Sequence, residues 1–206
     1  MSFSGTLQRV MDRFSGMCRI FDIDGKVLGE EHIQVSPVQR SVDENIAAFG
    51  RTAMFNFNTV VMPGCTIKTL SDNEEYFISS WRAIPFKGSK AAYSAFLIQV
   101  NAVGDVYRQE EKDFNPDTGE MSYGFVKKIE GLKLYITKKD WTMEIITPYG
   151  RDQKGYETVV CQERDIQKGD RISCEGKIYI VQDIDRTLRD RMLRIQVGLN
   201  IKHIEE

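Results

Sequence analysis

The chain carries only two histidines, His32 and His203, and no two of its four cysteines form a C-x-x-C pair. Cys18, Cys65, Cys161 and Cys174 are scattered and far in sequence from both histidines. That removes the local ligand spacings of zinc fingers and the redox dithiol motif. Four reduced, largely buried thiols are the plain expectation; a zinc site would need ligands gathered from distant parts of the chain. There is no P-loop, no G-x-G-x-x-G and no H-E-x-x-H, hence no phosphate cradle, dinucleotide turn or metalloprotease helix. Acidic residues are plentiful, but nothing selects one pair as acid and base. No apolar run approaches the roughly 20 residues that span a bilayer. The opening MSFSGTLQRVMDRF lacks the apolar centre of a secretory signal. The net charge of −2 excludes the overall basic excess of a dedicated duplex binder; a local basic patch stays open. These absences lead to the expectation of a non-enzyme with no catalytic residues, no cofactor, no metal and no membrane contact.

What is present is ordinary soluble composition. Of 206 residues, 41% are hydrophobic and 28% charged, enough to build one large core or two of about 100 residues each. The choice between one and two rests on internal repetition. NTVVMPGCTIKTLSDNEEYFISSW begins at Asn58 and ETVVCQERDIQKGDRISCEGKIYIVQD at Glu157. Both open with Thr-Val-Val, at Thr59–Val61 and Thr158–Val160. Both pass a polar turn into an alternating strand and later reach Ile-Gln-Val, at 98–100 and 195–197. The upstream stretches RFSGMCRIF (13–21) and KIEGLKLYI (128–136) each place a glycine before an apolar strand.

Period-two alternation dominates. Ile172 and Cys174 share a face. Glu175-Gly176 makes a turn that glycine eases by accepting positive φ. Tyr179 and Val181 oppose Ile178 and Ile180, and Leu193, Ile195 and Val197 oppose Arg194 and Gln196. Such strands are half buried. Short strands with turns about every ten residues predict a small sandwich or barrel.

Two helices are predicted. Leu7, Val10, Met11 and Phe14 make an apolar stripe near the start. SPVQRSVDENIAAFG, 36–50, offers Ser36 as N-cap, Pro37 at the first helical position and Gln39 for a capping box. Val38, Val42, Ile46 and Phe49 recur at helical spacing there. This second helix either packs on its own barrel or docks another subunit. The resulting fold class is mainly β: two tandem small β-barrel or sandwich (SH3/OB-like) domains with short accessory helices. The first spans 1–109 and the second 110–206, with a linker at about 104–124, where the chain is polar and turn-rich. Nine of eleven phenylalanines precede residue 100, which predicts a larger core or a more buried environment for the first domain.

Three stretches invite a chemical reading. Asp113, Asn115 and Asp117 have the alternate spacing of calcium ligands, but Thr118 stands where that loop needs glycine and Gly124 where it needs glutamate. Asn-Pro-Asp-Thr-Gly reads more simply as a turn. DIDGK, 22–26, is a hairpin turn for the same reason. Arg186, Arg189, Arg191 and Arg194 cluster without aromatics and are diluted by Asp185 and Asp190. They suit a solvated face, a salt-bridged interface or a DNA contact. Trp81 and Trp141 read as core or interface anchors.

The segment I-x-K-G-D-R-I-S-C-E-G-K-I-Y-I-V-Q-D-I, 166–184, resembles the central hairpin of tailed-bacteriophage head-closure and head–tail adaptor proteins. The resemblance is carried by Gly169, Asp170, Arg171, Gly176, Lys177, Tyr179 and Val181 and covers roughly 157–204. It implies a non-enzymatic virion protein, assembled in the host cytoplasm into a homo-oligomeric ring with other virion proteins. Such a ring encloses DNA without reading its sequence. Family members have one barrel, so a fused pair leaves the station open between neck, tail and baseplate. The 28–57 and 104–124 segments are the expected subunit contacts. A rival reading is an OB-type single-strand binder using Tyr76, Tyr93, Lys87 and Lys90.

Overall fold

The computed structural model describes residues 15–37, 50–86, 89–114, 116–137, 141–147, 150–189 and 191–199. Over 86, 89–91, 141–147, 150–156 and 187–190 the side chains lie outside that description. Thirteen strands follow one another: β1 (Gly16–Phe21), β2 (Val27–Pro37), β3 (Gly50–Asn56), β4 (Thr66–Thr69), β5 (Glu75–Phe86), β6 (Ser89–Gln99), β7 (Ala102–Phe114), β8 (Met121–Ile136), β9 (Trp141–Thr147), β10 (Gly150–Gln162), β11 (Arg171–Cys174), β12 (Lys177–Arg189) and β13 (Met192–Leu199). Among the described residues there is no helix.

The strands form two sheets with one connectivity. The first closes as β1-β2-β3-β6-β5-β4. The second runs β13-β12-β11-β7-β8-β10, closes through a β13–β10 pairing, and carries β9 as a branch on β10. Setting β7, β8, β10, β11, β12 and β13 against β1, β2, β3, β4, β5 and β6 makes the two rings identical in order. Each ring has six strands, and closure leaves no sheet edge around it.

Register carries the likeness to single residues. In the first barrel Ile20 faces Ile67, which faces Tyr76. In the second, Val106 faces Ile172, which faces Tyr179. All six side chains are buried. Gly64 N–H donates to Ile78 O and Ile78 N–H to Cys65 O; Gly169 N–H donates to Val181 O and Val181 N–H to Asp170 O. Gly64 and Gly169 both have φ near +90°, a conformation that only glycine adopts without strain.

Each barrel has its own core. Cys18, Ile20, Ile33, Phe55, Ile67, Ile78 and Leu97 fill the first. Val106, Leu134, Val159, Ile172, Val181, Ile195 and Val197 fill the second. The four thiols divide two and two between these cores, all buried and unbridged.

Several expectations need correction. Ser36 and Pro37 do not cap a helix: they end β2, opposite Thr52 and Arg51, while Gly50 opens β3. A proline is tolerated at a strand's last residue, where no ladder donor is required. Val38, Val42, Ile46 and Phe49 lie outside the described residues, as does the stripe Leu7–Phe14. The chain divides into Met1–Val100 with Thr187–Met192, and Asn101–Arg186 with Leu193–Glu206. The division therefore falls at Val100/Asn101 rather than near 109, and 104–124 is the hairpin of β7 and β8. Val100 N–H already serves Glu75 O, and Asn101 N–H serves Leu134 O. Polar, turn-rich sequence marked a solvated strand pair here, not a spacer.

Candidate functional site

The two barrels differ at the turn between their first two strands. Phe21 pairs with Val27 in the first and Tyr107 with Lys127 in the second. In the first, only Asp22–Lys26 lies between the pair. The Asp22 carboxylate accepts from Asp24 N–H (2.9 Å) and Lys26 N–H (2.8 Å), closing the turn. In the second, the strands run on as a two-stranded arm to Phe114 and Met121. Gly119, with φ +70°, helps turn its tip.

The arm is fixed at its root by the Gly-Asp-Arg motif. Asp170 is almost wholly buried and accepts Gln167 N–H at 2.8 Å. Arg108 donates to it twice, from Nε to Oδ1 at 2.9 Å and from Nη2 to Oδ2 at 3.0 Å. The same guanidinium reaches Asp165 Oδ2 (3.0 Å) and Asp165 O (2.9 Å). This bidentate, planar match is what arginine offers and lysine cannot. Hydrogen bonding to Asp170, then Asp165, raises the Arg108 pKa further above its ordinary value. Arg108 and Gln167 in turn hold the Asp165 carboxyl below the usual range.

On the arm's other face, Lys127 donates to Asp105 at 2.7 Å and stands 3.7 Å from Glu130. Asp105 also accepts Gly131 N–H at 2.9 Å. The Lys127 contact, and then that N–H, hold Asp105 below its ordinary pKa. Further out, Lys128 pairs with Glu110. Gly104 permits the close approach of β7 to β11: a Cβ there would stand 2.8 Å from Ser173 O.

A cleft of about 290 Å³ opens on this outer face, lined by Tyr107, Phe125, Arg171, Ser173 and Ile178. The Arg171 guanidinium stacks 3.6 Å from the Phe125 ring centre. Stacking covers the face of a guanidinium and leaves its N–H edge available. No carboxylate pairs with Arg171 among the described residues. The arm beyond the cleft exposes Phe114 (59%), Met121, Tyr123 (58%) and Val126. Among the described residues its outer edges carry no strand partner: β7 meets β11 over Gly104–Tyr107, and β8 meets β10 at Tyr135 and Ile136.

Sequence-based candidates are placed differently. Arg186 is half exposed, donates to Ile166 O at 3.1 Å and stands 3.9 Å from Glu163. Arg191 is exposed, with φ +62°, and Arg194 is half-buried on β13. The Arg189 side chain lies outside the described residues. Tyr76, offered as a stacking platform, is buried in the first core. Tyr93 stacks on Trp81 with ring centres 4.3 Å apart. The Lys87 and Lys90 side chains and that of Trp141 lie outside the described residues. Sequence reasoning singled out Arg171 within its motif but missed Arg108, Tyr107, Phe125 and Lys127.

No family model and no curated protein matches the chain. Among solved structures, MrkH, described as a novel c-di-GMP-dependent transcription regulatory factor, is similar at 9% identity and a TM-score of 0.22, over 99% of this chain and 86% of that one. A likeness that slight carries no inference about fold or ligand.

Proposed function

We propose that the chain is a non-enzymatic structural component of a tailed-phage virion, at the neck or head–tail connector, or in the tail or baseplate. It assembles through subunit contacts into a ring around the DNA channel. The arm is the observation that carries this reading. A closed barrel satisfies its own backbone, so a hairpin that leaves the barrel with open edges and exposed aromatics serves contact with another chain. The Gly-Asp-Arg segment that resembles the adaptor hairpin is also the part that anchors the arm, through Asp170 and Arg108. The other virion proteins are its partners, and DNA is enclosed without base-specific contacts.

Negative-stain imaging and mass photometry of the purified chain, alone and with virion components, test the reading. Closed rings, or incorporation into neck, tail or baseplate particles, support it. A monomer that joins none of these overturns it. Tight retention of single-stranded DNA on a filter at low salt points instead to the OB-type reading.

A further inference from the structure

We infer that the tip of one copy's arm seats in the aromatic–guanidinium cleft at the arm root of the next copy. This rests on the ring reading and names the contact that builds the ring. The cleft joins apolar walls from Tyr107, Phe125 and Ile178 to one guanidinium with no carboxylate partner among the described residues. It therefore suits a group that sets an apolar side chain beside a carboxylate. The tip has that chemistry: Phe114 and Met121 are exposed beside exposed Asp113, Asp117 and Glu120.

A tip cannot reach its own cleft. Phe114 pairs with Met121 and Gln109 with Phe125 in the same strand pair, with one bulge between Glu111 and Asp113. At about 3.3 Å per residue, that pair holds tip and cleft at least roughly 13 Å apart. The contact must be made between copies. Tip-to-tip contact is disfavoured, because Asp113, Asp117 and Glu120 would meet their own kind. A polyanion is disfavoured as well. Lys127 is committed to Asp105 and Glu130, and Glu111 lies on the same face as Phe125, leaving Arg171 to meet one carboxylate and not a run of phosphates. Tip and cleft are different surfaces, so the contact is heterologous. Repeated head to tail, it closes into a ring where the rotation allows.

The experiment is sedimentation velocity and mass photometry of the full chain across a concentration series into the high micromolar range. Arg171→Glu alters the cleft; Asp117→Lys with Glu120→Lys alters the tip. Asp117 and Glu120 are exposed and Arg171 is half-buried, and circular dichroism of each variant verifies an unchanged fold. Each variant alone is expected to associate at least about tenfold more weakly, the effect of setting like charges in a contact. An equimolar mixture of the two restores association, since every junction between unlike copies again joins opposite charges. Variants that assemble like the parent overturn the inference while leaving a ring built by other contacts intact. A parent chain that stays monomeric overturns self-docking, and its incorporation into virion components then judges the ring reading separately. Association seen only with added single-stranded DNA overturns it in favour of a nucleic-acid occupant.

Discussion

Arg108 grips Asp170 through two parallel hydrogen bonds of 2.9 and 3.0 Å, and so ties the root of the arm to the β10–β11 loop. Asp170 is 2% exposed, so its charge cannot fall back on water when its partner is removed. Arg108→Met should therefore cost about 3–5 kcal/mol, the usual penalty for leaving one member of a buried pair. Asp170→Asn should cost less, because the amide keeps one acceptor. Arg108→Met combined with Asp170→Asn should cost less than the two single losses summed. Urea unfolding of the four proteins in a double-mutant cycle measures the coupling, and near-additive losses would show that the two side chains act independently.

The carboxylates of the root give the arm a pH dependence. Asp105 and Asp165 are both held below their ordinary pKa, chiefly by Lys127 and Arg108. A depressed carboxylate stabilises the fold above its unfolded value, about 3.9, and that contribution fades as pH falls through the folded value. The arm root should accordingly loosen below about pH 4, and not in the neutral range. A carboxyl-carbon NMR titration should give both residues midpoints below that of a free aspartate. High salt should move the midpoints back toward the ordinary value, since both groups are open to screening. Midpoints at the ordinary value in low salt would mean these contacts are not held in solution.

The thiols make a separate test of the cores. Burial pushes Cys18 and Cys161 up to about 12, and also raises Cys65 and Cys174. All four should be inert toward a disulfide reagent at mildly alkaline pH and react together with unfolding. Because folded pKa values lie above the unfolded one, stability held below about pH 8.5 should decline as pH rises toward 12. Fast reaction of any one thiol in the native protein would contradict its placement.

Gly104 tests the closure of the second ring. A methyl group there meets the Ser173 carbonyl, which belongs to the backbone of β11 and cannot swing aside. Gly104→Ala should destabilise by about 1–3 kcal/mol, as overpacking does. Gly124→Ala meets only the flexible Lys112 side chain and should be close to neutral. Equal effects in thermal unfolding would argue against the β7–β11 pairing.

The inward rows were legible because a half-buried strand writes its burial into alternate residues. Ile172 with Cys174, Tyr179 with Val181, and Leu193 with Ile195 and Val197 all lie inside as their spacing predicts. The repeated architecture was legible too, although the tripeptides that suggested it are out of register. Val159 pairs with β8 as Ala53 pairs with β2, which sets Thr158–Val160 against Thr52–Met54; Thr59–Val61 belongs to the following loop. Ile195 is fully buried, whereas Ile98 is only half-buried beside inward Leu97, so matching them sets opposite faces together. What repeats is the order of strands and the row of buried side chains, not the letters. The arm was illegible because both its faces meet water and no core imposes a pattern on it. The Arg108–Asp170 pair was illegible because it joins residues 62 apart with no local signature.

The first barrel supplies the design for removing the arm from the second. Phe21 pairs with Val27 as Tyr107 pairs with Lys127, so Asp22–Lys26 can replace 108–126 between equivalent strand ends. The exchange deletes Arg108 and would strand the buried Asp170. Cys65 occupies the Asp170 position in the first barrel, where Ile78 N–H bonds the Cys65 carbonyl as Val181 N–H bonds that of Asp170. The replacement therefore needs Asp170→Cys beside it. With both changes the core row Val106, Ile172 and Tyr179 is untouched, and the second barrel should stay within about 1–2 kcal/mol of its parent, the scale of ordinary point substitutions. Assembly, by contrast, should be lost altogether, because the tip, Phe125 and Tyr123 leave with the arm. Thermal unfolding and mass photometry on one sample separate the outcomes. A collapsed barrel would make the arm part of the fold, whereas a stable chain that still forms rings would place the subunit contacts elsewhere.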